Sequence, residues 1–273
     1  MTVSQADKAK KLRALHEAPG AFVIPNPWDA GSARMLEGLG FQALATSSGA
    51  KAGVLGRRDG KVSREEALAN ARLIAGAVDI PVIGDLEKGF GDSPDAAALT
   101  IKGAAEAGLV GGSIEDATGN KDNPLYDIPA AAARVKAAAE AARALGFPFV
   151  LTARAEGCLR GRADIDDIIK RLQAFEAAGA DVLMAPGLPD LAAVKRVTGA
   201  LKKPFNFMVG VPRRSFSKAE LEAAGVKRIS LATSLYKAAM TGLLDAAKQA
   251  KDGNFGYVDR VMSTADLSAF MKE

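Results

Sequence analysis

The sequence predicts a (β/α)8 TIM barrel, one α/β domain with extra C-terminal helices. Three observations predict it. Eight short apolar runs alternate with alanine-rich helical stretches, glycines follow several of those stretches, and polar residues gather at one end of run after run. The runs are 21–25, 42–46, 81–85, 110–115, 148–154, 181–185, 204–209 and 228–232. Eight is the number of parallel strands that closes a barrel.

The helical stretches 63–78, 94–107, 129–145 and 165–178 lie between them. Ser63, Ser93 and Asp164 stand where N-caps belong, and Pro94 suits a first turn. Gly108, Gly146 and Gly179 follow helical runs, where a left-handed C-cap favours glycine. The phrases Glu106-Ala107-Gly108, Ala177-Ala178-Gly179-Ala180-Asp181 and Ala223-Ala224-Gly225-Val226 echo one repeated helix-to-strand passage. No linker divides the chain, so residues 1–273 read as one domain. Stretches 233–250 and 255–272 are helical and fall outside the eightfold count.

Composition narrows the function classes. With 273 residues, 48% of them hydrophobic, the chain can bury one large core. No apolar run approaches the roughly 18 residues of a membrane span. The polar, lysine-rich stretch from Met1 to Arg13 predicts no signal peptide. Cys158 is the only cysteine, which excludes an internal disulfide and a thiolate metal cluster. These readings point to the cytoplasm. The net charge of +4 invites a nucleic-acid reading, but aromatics are only 5% and the lysines are scattered, so stacking platforms are absent.

Chemistry in such a barrel sits where strands end. Reading those ends gives Asn26, Trp28 and Asp29; Ser47-Ser48-Gly49; Asp85 and Glu87; Glu115 and Asp116; Arg154 and Glu156; and Asn206. Strand capping alone gives no reason for repeated acids beside an arginine. Desolvating a carboxylate costs several kcal/mol unless it is paired or bound to metal, so the acids suggest a shared site for a divalent cation held by oxygen. Arg57-Arg58, Arg160 with Arg162, and Arg213-Arg214 fall in loops after strands, where cations steer a small charged acid.

Other mechanisms find no residues. No strand carries an internal lysine for a Schiff base. His16 is the sole histidine and is expected on the surface of an N-terminal helix, which argues against a Ser-His-Asp triad and multi-histidine zinc. Oxygen-ligand chemistry with magnesium remains, with manganese as a substitute.

At this point the chain resembles the isocitrate lyase and phosphoenolpyruvate mutase superfamily. The matching pieces are Asn26-Pro27-Trp28-Asp29-Ala30, Ser47-Ser48-Gly49, Gly56-Arg57-Arg58-Asp59, Asp85-Leu86-Glu87-Lys88-Gly89-Phe90-Gly91, Ile114-Glu115-Asp116, Ala153-Arg154-Ala155-Glu156 and Asn206. The resemblance implies a magnesium-dependent barrel that acts on α-keto or 2-hydroxy acids through an enolate. It gives the substrate carboxylate to Ser48, Gly49 and Ala50, with Trp28 and Asn206 nearby; Trp28 either lines the pocket or packs at the rim. It makes Asp85 the principal metal ligand, with Glu87 and Glu115 acting mostly through metal-bound water. Arg154 would grip the developing oxyanion or the carboxylate, and Asp59 would lie near the reacting group. The resemblance also implies a homo-oligomer, dimer or tetramer, with residues 233–273 exchanged between subunits.

Three departures shape the expected reaction. Isocitrate and methylisocitrate lyases carry Lys-Cys-Gly-His in the loop after the fourth strand, where this chain reads Gly119-Asn120-Lys121-Asp122-Asn123-Pro124-Leu125-Tyr126, which argues against those activities. The usual Asp-x-Asp is Asp85-Leu86-Glu87, and the sixth strand ends in Ala185-Pro186-Gly187 without an acid or histidine. The leading expectation is a carbon–carbon lyase of oxaloacetate-decarboxylase type. A phosphonopyruvate-type mutase or hydrolase is the second reading, and a barrel that binds such acids without turnover is the third.

Overall fold

A computed structural model describes residues 3–271; Met1 and Thr2, which open the first polar stretch, Lys272, which closes the last helical one, and Glu273 lie outside the described residues. Every apolar run contains a strand: β1 (Phe22–Ile24), β2 (Leu44–Ala45), β3 (Val82–Asp85), β4 (Gly111–Glu115), β5 (Val150–Arg154), β6 (Val182–Met184), β7 (Phe205–Met208) and β8 (Arg228–Ser230). All ladders are parallel, in the order β1-β8-β7-β6-β5-β4-β3-β2. The Ala45 N–H donates to the Pro25 carbonyl at 3.0 Å and bridges the remaining gap between β2 and β1. Strands are shorter than the runs that predict them. Pro81 and Pro204 stand immediately before β3 and β7 and have no N–H to give a ladder.

The helices are α1 (Gln5–Glu17), α2 (Ala30–Gly38), α3 (Ser48–Val54), α4 (Arg64–Ala77), α5 (Pro94–Glu106), α6 (Ile128–Arg143), α7 (Ile165–Ala177), α8 (Leu191–Gly199), α9 (Lys218–Ala223), α10 (Ser234–Lys251) and α11 (Thr264–Ala269). The predicted caps form. Ser63 and Glu66 make a reciprocal capping box, Ser93 accepts from the Ala96 N–H, and Asp164 accepts from the Asp166 and Asp167 N–H groups. Gly108, Gly146 and Gly179 take φ of 89°, 72° and 103°, the left-handed conformation that stops each helix.

Two expectations need correction. The stretch 255–272 is not one helix: a 3-10 turn over Gly256–Arg260 is followed by α11, because Ser263 turns extended and its side chain caps the Asp266 N–H, starting a new helix. His16 is half-buried and engaged, not a free surface side chain. Its ring packs edge-on against Phe22 at 5.1 Å, accepts a hydrogen bond from Arg228 through Nε2, and meets the Leu12 carbonyl through Nδ1.

Helix α1 plugs the N-terminal end of the barrel, packing Ala9 and Leu12 on Ile24, Ile83, Val110, Val150 and Val182. The larger core lies between the outer strand faces and the surrounding helices. Above the plug several interior residues are small, among them Ala45, Ser113 and Ser230. They leave a cavity of about 700 Å³ that opens at the C-terminal ends of the strands. Helix α10 stands apart: none of its 18 residues is buried, and Leu243 and Leu244 are 61% and 53% exposed. No helix among the described residues is long and apolar enough to cross a membrane.

Candidate active site

The cavity mouth is built by strand ends. Asp85, Glu115 and Arg154 are the last residues of β3, β4 and β5, and the parallel register brings β3 beside β4 and β4 beside β5, with Glu115 opposite Arg154. Arg154 is the hub. Its Nη1 donates to Asp85 Oδ1 at 3.0 Å, its Nε and Nη2 donate to Glu156 Oε1 at 2.9 and 2.7 Å, and its Nη2 lies 3.3 Å from Glu115 Oε2. Such forked, charge-assisted bonds fix both distance and plane. Arg160 joins from the turn after β5, at 3.5 Å from Glu115 and 3.7 Å from Glu156.

Asp85 is held from a second side. The Ser48 N–H donates to its Oδ2 at 3.0 Å, while the Asp85 N–H donates to Thr46 Oγ1 at 2.9 Å. Burial alone would push this carboxyl up; the Arg154 guanidinium and the Ser48 amide outweigh burial and hold it below the usual carboxylate range. Glu115 goes the other way. Burial first, then the neighbouring Glu156 charge, push it well above its ordinary value against the pull of Arg154. Arg154, ringed by three carboxylates that outweigh its own burial, holds its proton more firmly than a free guanidinium.

Glu87 sits just beyond β3 with φ of 52°, a left-handed backbone that turns it over the cavity. Its Oε1 is buried without a hydrogen bond, and burial raises its carboxyl to about 7. Lys51 of α3, only 3% exposed, approaches that oxygen to 3.6 Å, an ion pair too long for a hydrogen bond. It also lies 5.5 Å above the Phe90 ring.

The structure brings Ser48, Gly49, Asp59, Asp85, Glu87, Glu115, Arg154 and Asn206 together around one cavity. At Gly49 a side chain would not fit: a Cβ would come within 2.8 Å of Thr233 Cγ2 and 3.4 Å of Asp59 Oδ2. Trp28 and Ala50 are not on the cavity wall. The Trp28 ring stacks edge-on with Tyr236 at 5.5 Å on the rim, and the Ala50 N–H is turned to Ser47 Oγ at 3.3 Å to cap α3. Asp116 points away too, accepting from the Glu156 N–H at 2.8 Å and pairing with Arg171 of α7 at 3.2 Å, so it steadies the loop that carries Glu156.

Lys51 and Arg228 escaped the sequence reading. Lys51 lies in a short alanine-glycine helix and gives no signal. Arg228 gave one: along β8 the polar Arg228 and Ser230 alternate with Ile229, so one face of an apparently buried strand is polar.

The donor set suits a hard cation. Asp85 and Glu115 offer carboxylates at the mouth, and the unpartnered Glu87 Oε1 is an oxygen that a cation would satisfy. Among the described residues no three His, Cys, Asp or Glu side chains converge tightly enough to clasp a metal unaided. Water would complete the coordination, the manner in which magnesium is commonly held.

Comparison with known proteins gives the family and agrees with the barrel fold. The family model for phosphoenolpyruvate phosphomutase matches residues 12–251. A solved structure from Burkholderia cenocepacia J2315, named only as a candidate lyase/mutase, is 48% identical with a TM-score of 0.96, covering 97% of this chain and 96% of that one. An oxaloacetate decarboxylase from Paraburkholderia xenovorans (strain LB400) is 29% identical over 89% of this chain and 82% of its own. The 2,3-dimethylmalate lyase of Eubacterium barkeri is 28% identical over 96% of this chain and 93% of its own.

Proposed function

The chain belongs to the phosphoenolpyruvate mutase and isocitrate lyase superfamily, and on that premise we propose that it is a magnesium-dependent lyase. It cleaves the carbon–carbon bond next to the carbonyl of a small α-keto or 2-hydroxy acid, in the manner of an oxaloacetate decarboxylase. The observation that carries this reading is the single guanidinium of Arg154 tying Asp85, Glu115 and Glu156 together at the cavity mouth.

Breaking that bond leaves negative charge on an enolate oxygen. A magnesium ion, or manganese in its place, supplies positive charge for that oxygen when bound, and Asp85, Glu87 and Glu115 are the residues that would hold it. Arg154 offers a second, planar cation fixed by its carboxylates, so it needs no rearrangement as the charge develops. Ser48 and Gly49 line the wall beside Asp85, where Thr233 and Asp59 pack so closely on Gly49 that only glycine fits, and this is the segment that would meet the substrate carboxylate. Asp59, packed beside Gly49 on the cavity wall, is the acid that would lie near the reacting group.

The test supplies oxaloacetate and phosphonopyruvate separately with magnesium. Pyruvate and carbon dioxide from oxaloacetate support the lyase reading; phosphate or a rearranged phosphoester from phosphonopyruvate moves the assignment to a mutase or hydrolase. Binding without turnover of any keto acid leaves a ligand-binding barrel. Asp85→Ala is expected to lower turnover about a thousandfold and leave the fold intact, because removing one acid relieves repulsion among the others.

The protein is proposed to act as a homo-oligomer, dimer or tetramer. The unburied α10 with exposed Met240, Leu243 and Leu244, and a groove of about 340 Å³ beside β1 lined by Phe22, Val23 and Phe41, support an exchanged helix. Light scattering at micromolar protein should give a mass well above a monomer's; a clean monomer contradicts the exchange.

A further inference from the structure

Below the carboxylate network the cavity wall carries a second arginine in different company. Arg228 opens β8, is 2% exposed, and lines the same cavity as the mouth residues. Its Nε donates to Asn206 Oδ1 at 2.8 Å and its Nη2 to Thr152 Oγ1 at 2.8 Å; its Nη1 meets His16 Nε2 at 3.3 Å. All three partners are neutral. His16 accepts through Nε2 because its Nδ1 is engaged with the Leu12 carbonyl, and burial beside the guanidinium keeps the ring uncharged, its pKa pushed down to about 3. No carboxylate stands among the partners of Arg228, and burial is the one influence on its proton, bringing its pKa to about 9 without removing the charge at neutral pH.

A buried cation without a counter-ion is an expensive arrangement. Arg154 has three acids and Arg171 has two, and Arg134, as deeply buried, is met by the backbone carbonyls of Lys88, Asp92 and Ser93; Arg228 has neither an acid nor a backbone carbonyl. The location of Arg228 supplies a reason. Thr152, which it touches, lies two residues before Arg154 on β5 and hence on the same interior face. The two guanidiniums therefore stand one side-chain layer apart, along a passage walled by small residues such as Ala45, Ser113 and Ser230.

We propose that Arg228, with Asn206 and Thr152 setting its orientation, is a carboxylate-binding subsite at the cavity floor, so that the ligand is a short aliphatic diacid with one end at the mouth and the other at Arg228. The missing counter-ion is the ligand's second carboxylate. Asn206 then acts as a positioning residue: its Oδ1 holds Arg228 and its Nδ2 donates to Ser230 Oγ at 3.0 Å, so its amide is committed to the floor and not to the substrate at the mouth. The proposal deepens the substrate class of the same cavity and does not rest on the metal or on bond cleavage.

Calorimetric titration of the full chain with succinate, which offers two carboxylates and no scissile keto group, tests it. Arg228→Met should weaken succinate binding about tenfold or more while changing acetate binding little, and the unliganded thermal midpoint should hold or rise. Arg228→Gln, which keeps hydrogen-bonding atoms for Asn206 and Thr152, should show the same loss and covers failure of the Met variant to fold. A wild-type crystal grown with succinate should place a carboxylate within hydrogen-bonding distance of Arg228. Unchanged affinity in either folded variant, no succinate binding to the wild type, or density confined to Arg154 would overturn the proposal. Because turnover is not read, a failed lyase assay leaves this result interpretable, and a successful one does not rescue it.

Discussion

At the mouth of the barrel Arg154 is surrounded by Asp85, Glu115 and Glu156, whereas one layer below Arg228 has only an amide, a hydroxyl and a neutral imidazole. Both are interior arginines in one cavity, and the contrast lies in what balances them. The mouth is balanced from within, so its side chains hold their geometry before any ligand arrives. The floor carries a charge that the fold leaves uncompensated. Charge held in place by partners is suited to steadying a transition state, and charge without a partner is suited to taking a ligand.

Removing each cation in turn separates the two ends most strongly. Arg154→Met strands three interior carboxylates and should cost about 3–5 kcal/mol of stability, whereas Arg228→Met removes an unpartnered charge and should be neutral or stabilising by about 1–4 kcal/mol. Urea unfolding of both variants measures the difference; equal losses would erase the distinction between the two ends.

Acid titration gives the next effect. His16 has a folded pKa of about 3 against an ordinary 6.5, so between those values the unfolded chain binds the extra proton. Its contribution to stability is therefore complete above pH 6.5 and is lost as pH falls toward 3, amounting to roughly a few kcal/mol. Glu87 and Asp116, raised to about 7 and about 6, run in the opposite sense, which favours a single-site comparison. His16→Asn should flatten the decline between pH 6.5 and 4 in a plot of unfolding free energy.

A smaller effect concerns the metal. If Glu87 assists a cation it must first lose the proton that burial keeps on it to about pH 7. Magnesium affinity, read by thermal shift against a chelator, should then rise up to about tenfold per pH unit below 7 and level off above. Glu87→Gln should reduce that slope, Glu115, whose carboxyl is also raised, supplying what remains; an unaltered slope would move the cation away from Glu87.

Much of this was legible in the chain. All eight strands, the caps at Ser63, Ser93 and Asp164 and the stops at Gly108, Gly146 and Gly179 follow from local rules, because strand alternation and cap hydrogen bonds act over a few residues. That Asp85, Glu115 and Arg154 share a mouth followed from their places at consecutive strand ends, once a parallel sheet was assumed. The interruption near Ser263 was harder to read, since one serine competing for a backbone N–H decides it.

Local signals in the chain thus carry the alternation, the strand ends and the chemical type of the mouth. Tertiary structure alone decided that Trp28 turns to Tyr236 on the rim, that Ala50 faces Ser47, and that Lys51 reaches Glu87. It also brought His16 to Arg228, 212 residues away along the chain. The physical reason is range: periodicity and capping are read from neighbours, whereas whether a buried charge has a counter-ion depends on residues that only barrel closure brings together.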